Sequence, residues 1–196
     1  MKTKNYLIIL SSMIILSCSS NTQEEKVDDS KGHVHHDHAA SSETVALKSP
    51  RTAAMAHIGT NHVHVDYSAP SVRGRQVFGG LVAFDEVWVT GAHSATNISF
   101  SEDIILDGKT IPKGKYALFT IPGENEWVIT INKNWEQHLA DDYDESEDVV
   151  RTKVVPKKLE NNVEQLNFKV EDLGGKKGQI VFQWSGIEIQ MPFTSL

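Results

Sequence analysis

The chain has 196 residues, 39% hydrophobic and 23% charged, which is enough for one domain with a core plus extra segments. A net charge of -7 argues against nucleic acid as a partner, because phosphate binding needs a basic stripe. A single cysteine excludes a disulfide framework and a multi-thiolate metal site, whereas nine histidines make imidazole the unusual component.

Lys2 and Lys4 precede the short apolar run Tyr6 to Leu16. That run is too short to span a bilayer, for which roughly 18–20 apolar residues are needed, and it has the layout of a secretory leader. Ile15-Leu16-Ser17-Cys18 then resembles a bacterial lipobox, in which the cysteine is acylated and becomes the new N-terminus. Residues 1–17 are therefore expected to be a lipoprotein signal peptide and Cys18 a lipidation site. Several acyl chains anchor a protein durably where one does not. Removal of the leader takes away two lysines, leaving a formal charge of about -9, and lipidation uses up the only thiol. Ser19, rather than Asp, after the cysteine favours the outer membrane, facing either the periplasm or the cell surface.

Residues 18–48 read as a tether. Polar residues dominate there, without the apolar periodicity that would offset ordering entropy. Within it lie His33, His35, His36 and His38, with Asp37 as an optional oxygen ligand. Imidazoles this dense on a flexible segment suit capture of a divalent ion or Cu(I). The competing reading is a solvated polar tail.

Residues 49–196 are expected to form a single all-β domain, a sandwich or barrel-like fold of antiparallel strands with at most one or two short helices. Asn61 to Tyr67 alternates strictly, with His62, His64 and Asp66 on one face and Val63, Val65 and Tyr67 on the other. Strand-like runs follow at Val87–Thr90, Ala95–Phe100, Ile104–Leu106, Thr110–Ile111, Lys115–Ile121 and Glu126–Ile131. The last group is Val149–Val155, Val163–Val170, Gln179–Trp184 and Ile187–Phe193. Asp107-Gly108 and Lys113-Gly114 mark turns, and Ser185-Gly186 reads as a tight hairpin. Trp135 to Asp142 is the one stretch suited to a short helix. Trp88, Trp127 and Trp184 sit in strand runs and are expected in the core.

Several separated segments resemble the family catalogued as domain of unknown function 2911. They are Tyr67 to Arg75, Val87 to Ala92, Gly114 to Gly123, and Tyr143-Asp144 through Asp148 to Arg151. The resemblance runs from about Ser49 to Phe193 and implies a β-rich envelope domain, without an activity. The family pattern has Arg at the places of Ala69 and Val89, Asn and Glu at those of His93 and Ser94, and Trp at that of His138. By this resemblance, two guanidiniums and a carboxylate are replaced here and two histidines gained.

Imidazoles without nearby guanidiniums favour a metal, since a cation repels one. His62 and His64 are spaced for two ring nitrogens to meet one ion from a strand face, their Cα atoms roughly 6.5–7 Å apart. His93 and His138, each alone more typical of a hydrogen-bonded structural histidine, lie where the family motifs cluster. The expected folded metal site is built from some of His62, His64, His93 and His138. Imidazole suits copper, zinc and nickel, and Cu²⁺ heads the affinity order, so copper is the first choice and zinc the second. Met55 and Met191 are candidate helpers for Cu(I), although lone methionines usually fill cores. Protonation at acidic pH is expected to release the ion, because neutral imidazole is the ligand.

The reading is an envelope lipoprotein that binds a transition metal for buffering, delivery or resistance, with an unidentified protein partner. One alternative is a lipoprotein that binds or scaffolds something other than metal. Another is a metal-dependent hydrolase, in which a three-histidine site activates water and Asp66 or Glu86 serves as base. Arg73-Gly74-Arg75 reads as a turn or an anion contact. The acidic run Asp141 to Asp148 lacks the spacing of an EF-hand and reads as a solvated loop.

Overall fold

A computed structural model describes residues 48–196. Cys18, the leader and the tether histidines His33, His35, His36 and His38 lie outside the described residues.

Among the described residues, ten strands form two antiparallel sheets. The six-stranded sheet runs in the order β1 (Arg51–Ile58), β2 (Asn61–Ser68), β3 (Thr96–Phe100), β6 (Gly114–Ile121), β7 (Trp127–Asn132), β8 (Asp148–Val154). The four-stranded sheet runs β5 (Lys109–Ile111), β4 (Ile104–Leu106), β10 (Lys177–Ser195), β9 (Lys157–Gly174). The all-β sandwich expected from alternation is the architecture observed.

Val63 and Val65 of β2, Ile98 and Phe100 of β3, Leu118 of β6, and Ile129 and Ile131 of β7 point inward from the larger sheet. Phe168, Ile180, Phe182, Trp184, Ile189 and Phe193 meet them from the smaller one. Trp88, Trp127 and Trp184 are all buried, as expected, and Phe78 wedges edge-on against each of them. Asp107-Gly108 makes the expected two-residue β4–β5 turn, both residues taking positive φ as a type I′ hairpin requires.

Four local expectations fail for identifiable reasons. The Ser185-Gly186 hairpin is absent, because β10 runs straight through it. The register against β9 slips twice between Gln183 and Ile187. Buried positions consequently switch from even numbers (Ile180, Phe182, Trp184) to odd ones (Ile189, Met191, Phe193). A phase change of this kind reads as a strand break in one-dimensional sequence.

Val87–Thr90 is not a strand. Trp88 exchanges two backbone hydrogen bonds with Thr120, but Thr90 takes a positive φ and bends the chain away. Trp135–Asp142 is not helical. Leu139 has φ 54°, and the segment lies as an irregular cover, Ala95 donating its N–H to Gln137 O and Leu139 donating its own to His93 O. The one helix among the described residues is a single 3₁₀ turn, Glu145–Glu147, capped by the Asp144 carboxylate accepting from the Ser146 N–H. Finally, β1 was not foreseen. Its inward residues Ala54 and Ala56 are small and lack the β-branched signature of a strand.

The acidic run also departs from a simple solvated loop. The Asp148 side chain is buried and its carboxylate accepts from four donors: Thr130 Oγ1 at 2.8 Å, Asn132 Nδ2 at 2.8 Å, Tyr143 OH at 2.6 Å and Arg151 guanidinium at 3.0 Å. Tyr143 meanwhile packs edge-on against Phe119 of β6, pinning the cover to the sheet. Burial, then the bond to Asp148, pushes the Tyr143 phenol up to about 12. A raised folded value favours the neutral phenol, so its contribution to stability is complete below the ordinary value near 10 and fades as pH rises toward 12. The stability advantage of the native chain over Tyr143→Phe is therefore expected to shrink across that alkaline window in denaturant titrations. An advantage constant with pH would refute the assignment.

Candidate metal-binding face

Directly opposed residues of an antiparallel pair share a face. In the β1–β2 hairpin His57 is opposite His62, and Met55 is opposite His64. Period-two alternation puts Asp66 on that same outer face, while Val63 and Val65 go to the core. The expected His62/His64/Asp66 face is thus observed. It also gains His57 and Met55 from the strand that was not foreseen.

The His57 and His62 ring centres are 5.0 Å apart, and those of His62 and His64 are 5.9 Å apart. Two imidazoles that share an ion, each about 2 Å away through nitrogen, have ring centres roughly 4.5–6 Å apart. His64 Nε2 is screened from water and has no hydrogen-bond partner. Asp66 Oδ2 lies 3.5 Å from it, close enough for electrostatic attraction but too long for a good hydrogen bond. An unpartnered, water-screened nitrogen is costly unless something supplies its missing contact. Met55 is 56% exposed, unlike the buried Met191, so its thioether is not core filler.

Among the described residues, no group of three or more His, Cys, Asp or Glu stands already converged for an ion. Capture on this face requires rotation of the His57 and His62 rings about their side-chain bonds, which exposure permits.

His93 and His138 sit elsewhere. Ser94 bridges to His138, and Leu139 N–H donates to His93 O at 2.6 Å, so the two histidines occupy neighbouring loops. His64 is opposite Ser99 on β3. Ser94 lies five residues further along, roughly 16 Å at strand rise. The two histidine pairs therefore occupy separate regions. His138 lines a shallow depression with Trp135 and Asn97, whereas His93 faces a different cavity beside Val89. Glu86, a candidate base for a hydrolase, lies in the long β2–β3 connection between Ser68 and Thr96, away from the hairpin.

Sequence reasoning missed His57. The signal was present in Met55-x-His57 followed by His62-x-His64 with Gly59-Thr60 between, a two-residue turn that makes the two spaced pairs face one another.

No curated protein and no solved structure matches the chain. A family described as protein of unknown function (DUF2911) matches residues 49–193, from just before the histidine hairpin to Phe193 in β10. With three quarters of its length covered by that match, the chain belongs to the DUF2911 family.

Proposed function

We propose that this chain is a lipid-anchored envelope protein that binds a transition metal ion, copper first and zinc second, for buffering, delivery or resistance. The anchor is Cys18, and the tether histidines His33, His35, His36 and His38 gather ions near the folded domain. The folded ligands are His57, His62 and His64, with Met55 beside them, in place of the four-histidine set His62, His64, His93 and His138.

The observation that carries this reading is the cross-strand His57–His62 pair next to the unpartnered His64 nitrogen. Three imidazoles and a thioether form a borderline-to-soft donor set, which suits copper in either oxidation state better than oxygen-seeking cations. The face is open to solvent on one side, which favours exchange of an ion over a sealed structural role.

The test is calorimetric titration of Cu²⁺, Zn²⁺ and Ni²⁺ into the leaderless chain carrying Cys18→Ser and alanine at the four tether histidines. One-to-one submicromolar copper binding is expected. Loss of an outer-shell partner alone costs about 10–100-fold in metal affinity, so His57→Ala with His62→Ala should cost at least that much. His93→Ala with His138→Ala should leave affinity unchanged. If the second pair abolishes binding and the first does not, the hairpin site is wrong. If neither matters, the ion sits on other groups and the hairpin site is again wrong; no binding at all means that the folded domain holds no specific ion.

A further inference from the structure

A second site, independent of the histidine face, lies where the β2–β3 connection folds over the edge of the sandwich. The cavity there holds about 390 Å³, within the usual range for a small-molecule pocket of about 300–1,000 Å³. Its walls are mainly apolar. Trp88 and Trp184 stack with ring centres 5.6 Å apart, and Val82 and Val89 line the space beside them. Two of the large hydrophobic side chains left exposed on this domain, Leu81 and Leu139, also line it. Exposed leucines gathered at one opening mark a place where apolar surface awaits cover.

Its polar groups are one-sided. Lys48, Arg73, Arg75 and His93 line the cavity, and among the described residues no Asp or Glu does, in a chain whose net charge is -7. Neither guanidinium has a carboxylate partner among the described residues. The Glu164 carboxylate accepts from the Arg73 backbone N–H and not from its side chain. Arg75 is held by the Val72 and Ser71 carbonyls, and Arg73 donates to Lys48 O. Those bonds fix the positions of both charges and leave further N–H donors of each guanidinium unused.

The backbone here is built to present these groups. Arg73 and Gly74 take successive positive φ values, and His93, which also lines the cavity, takes one as well. Trp88 Nε1 is satisfied by Gly91 O at 3.0 Å, whereas Trp184 Nε1 is buried with no partner. A buried unpaired donor in the wall of a cavity is an acceptor-shaped deficit.

We propose that this cavity binds an amphiphilic carboxylate, with an apolar body against Trp88 and Trp184 and an anionic head held by Arg73 and Arg75. Apolar walls alone would take a neutral hydrocarbon, and cations alone would take a small anion. The two together select a molecule that carries both. Carboxylate geometry matches a guanidinium fork, which makes the head group more than a point charge.

The experiment titrates the leaderless chain with decanoate, 1-decanol and acetate, read by tryptophan fluorescence and calorimetry. Decanoate is expected to bind one-to-one, decanol at least about tenfold more weakly, and acetate not detectably at the same concentration. Arg73→Gln with Arg75→Gln should bring decanoate down to the decanol level while decanol binding stays unchanged. Unaltered decanol binding shows that the cavity is intact in that variant. Val89→Trp should fill the space and abolish both. Equal binding of decanol and decanoate, or no binding of either, overturns the proposal. So does retention of decanoate preference in the double arginine variant. His57→Ala with His62→Ala should leave decanoate binding intact, which separates this site from the metal reading.

Discussion

Asp148→Ala is expected to destabilise the domain by about 2–4 kcal/mol, because buried donors left without an acceptor cost about 1–3 kcal/mol each. The carboxylate is 3% exposed and joins groups from three places in the chain: Thr130 and Asn132 on β7, Tyr143 in the cover, and Arg151 on β8. Alanine removes all four acceptor contacts at once. Thr130 and Asn132 are themselves fully buried, so their donors lose a partner without gaining water. Arg151 keeps Glu145 at 3.3 Å, but that pair is largely exposed and contributes little. The cover between β7 and β8 should loosen first, because Tyr143 loses its bond to Asp148 and keeps only the Arg151 guanidinium donating to its hydroxyl. Asp148→Asn should cost less, since its amide oxygen still accepts while the charge is lost. Urea unfolding of both variants checks the order. A loss below about 1 kcal/mol for the alanine variant would mean that water replaces the carboxylate without penalty.

Trp127→Ala is expected to cost about 3–5 kcal/mol as a large-to-small core change. Trp127 is 1% exposed, on the inner face of β7. It meets Phe78 edge-on at 4.8 Å and Phe182 at 6.0 Å, so it joins the β2–β3 connection, the larger sheet and the smaller sheet. A cavity at this junction removes contacts from all three. Phe78 also touches Trp88 and Trp184, the aromatic walls of the proposed carboxylate cavity. Trp127→Ala should therefore weaken decanoate binding as well as stability. Trp127→Phe should recover most of the stability. If the alanine variant unfolds at the native denaturant midpoint, the core has closed around the loss, contrary to this packing.

Alternation made the sheet class legible. Residues such as Val63, Val65 and Val128 to Ile131 carry period-two or continuous apolar patterns that hardly fit anything but strands. The Asp107-Gly108 turn was equally legible, because positive φ at both positions is a local steric demand. Legibility failed where tertiary contacts replaced local signals. The β1 strand has Ala54 and Ala56 facing inward, against β9. Its strand state is imposed by pairing with β2 and not by propensity. His57 was lost from the sequence reading together with that strand.

The composition and order of residues by themselves determined an acidic, thiol-poor all-β chain whose His62 and His64 share one strand face. Those properties follow from covalent alternation and charge, which need no partner strand. Only the tertiary structure decided that His57 stands across from His62, that His93 and His138 lie in another region, and that the Asp148 carboxylate is buried within an acidic run. It also decided that Arg73 and Arg75 border an apolar cavity. Each of these depends on register and chain crossing between residues far apart in sequence, set by core packing that no single segment encodes.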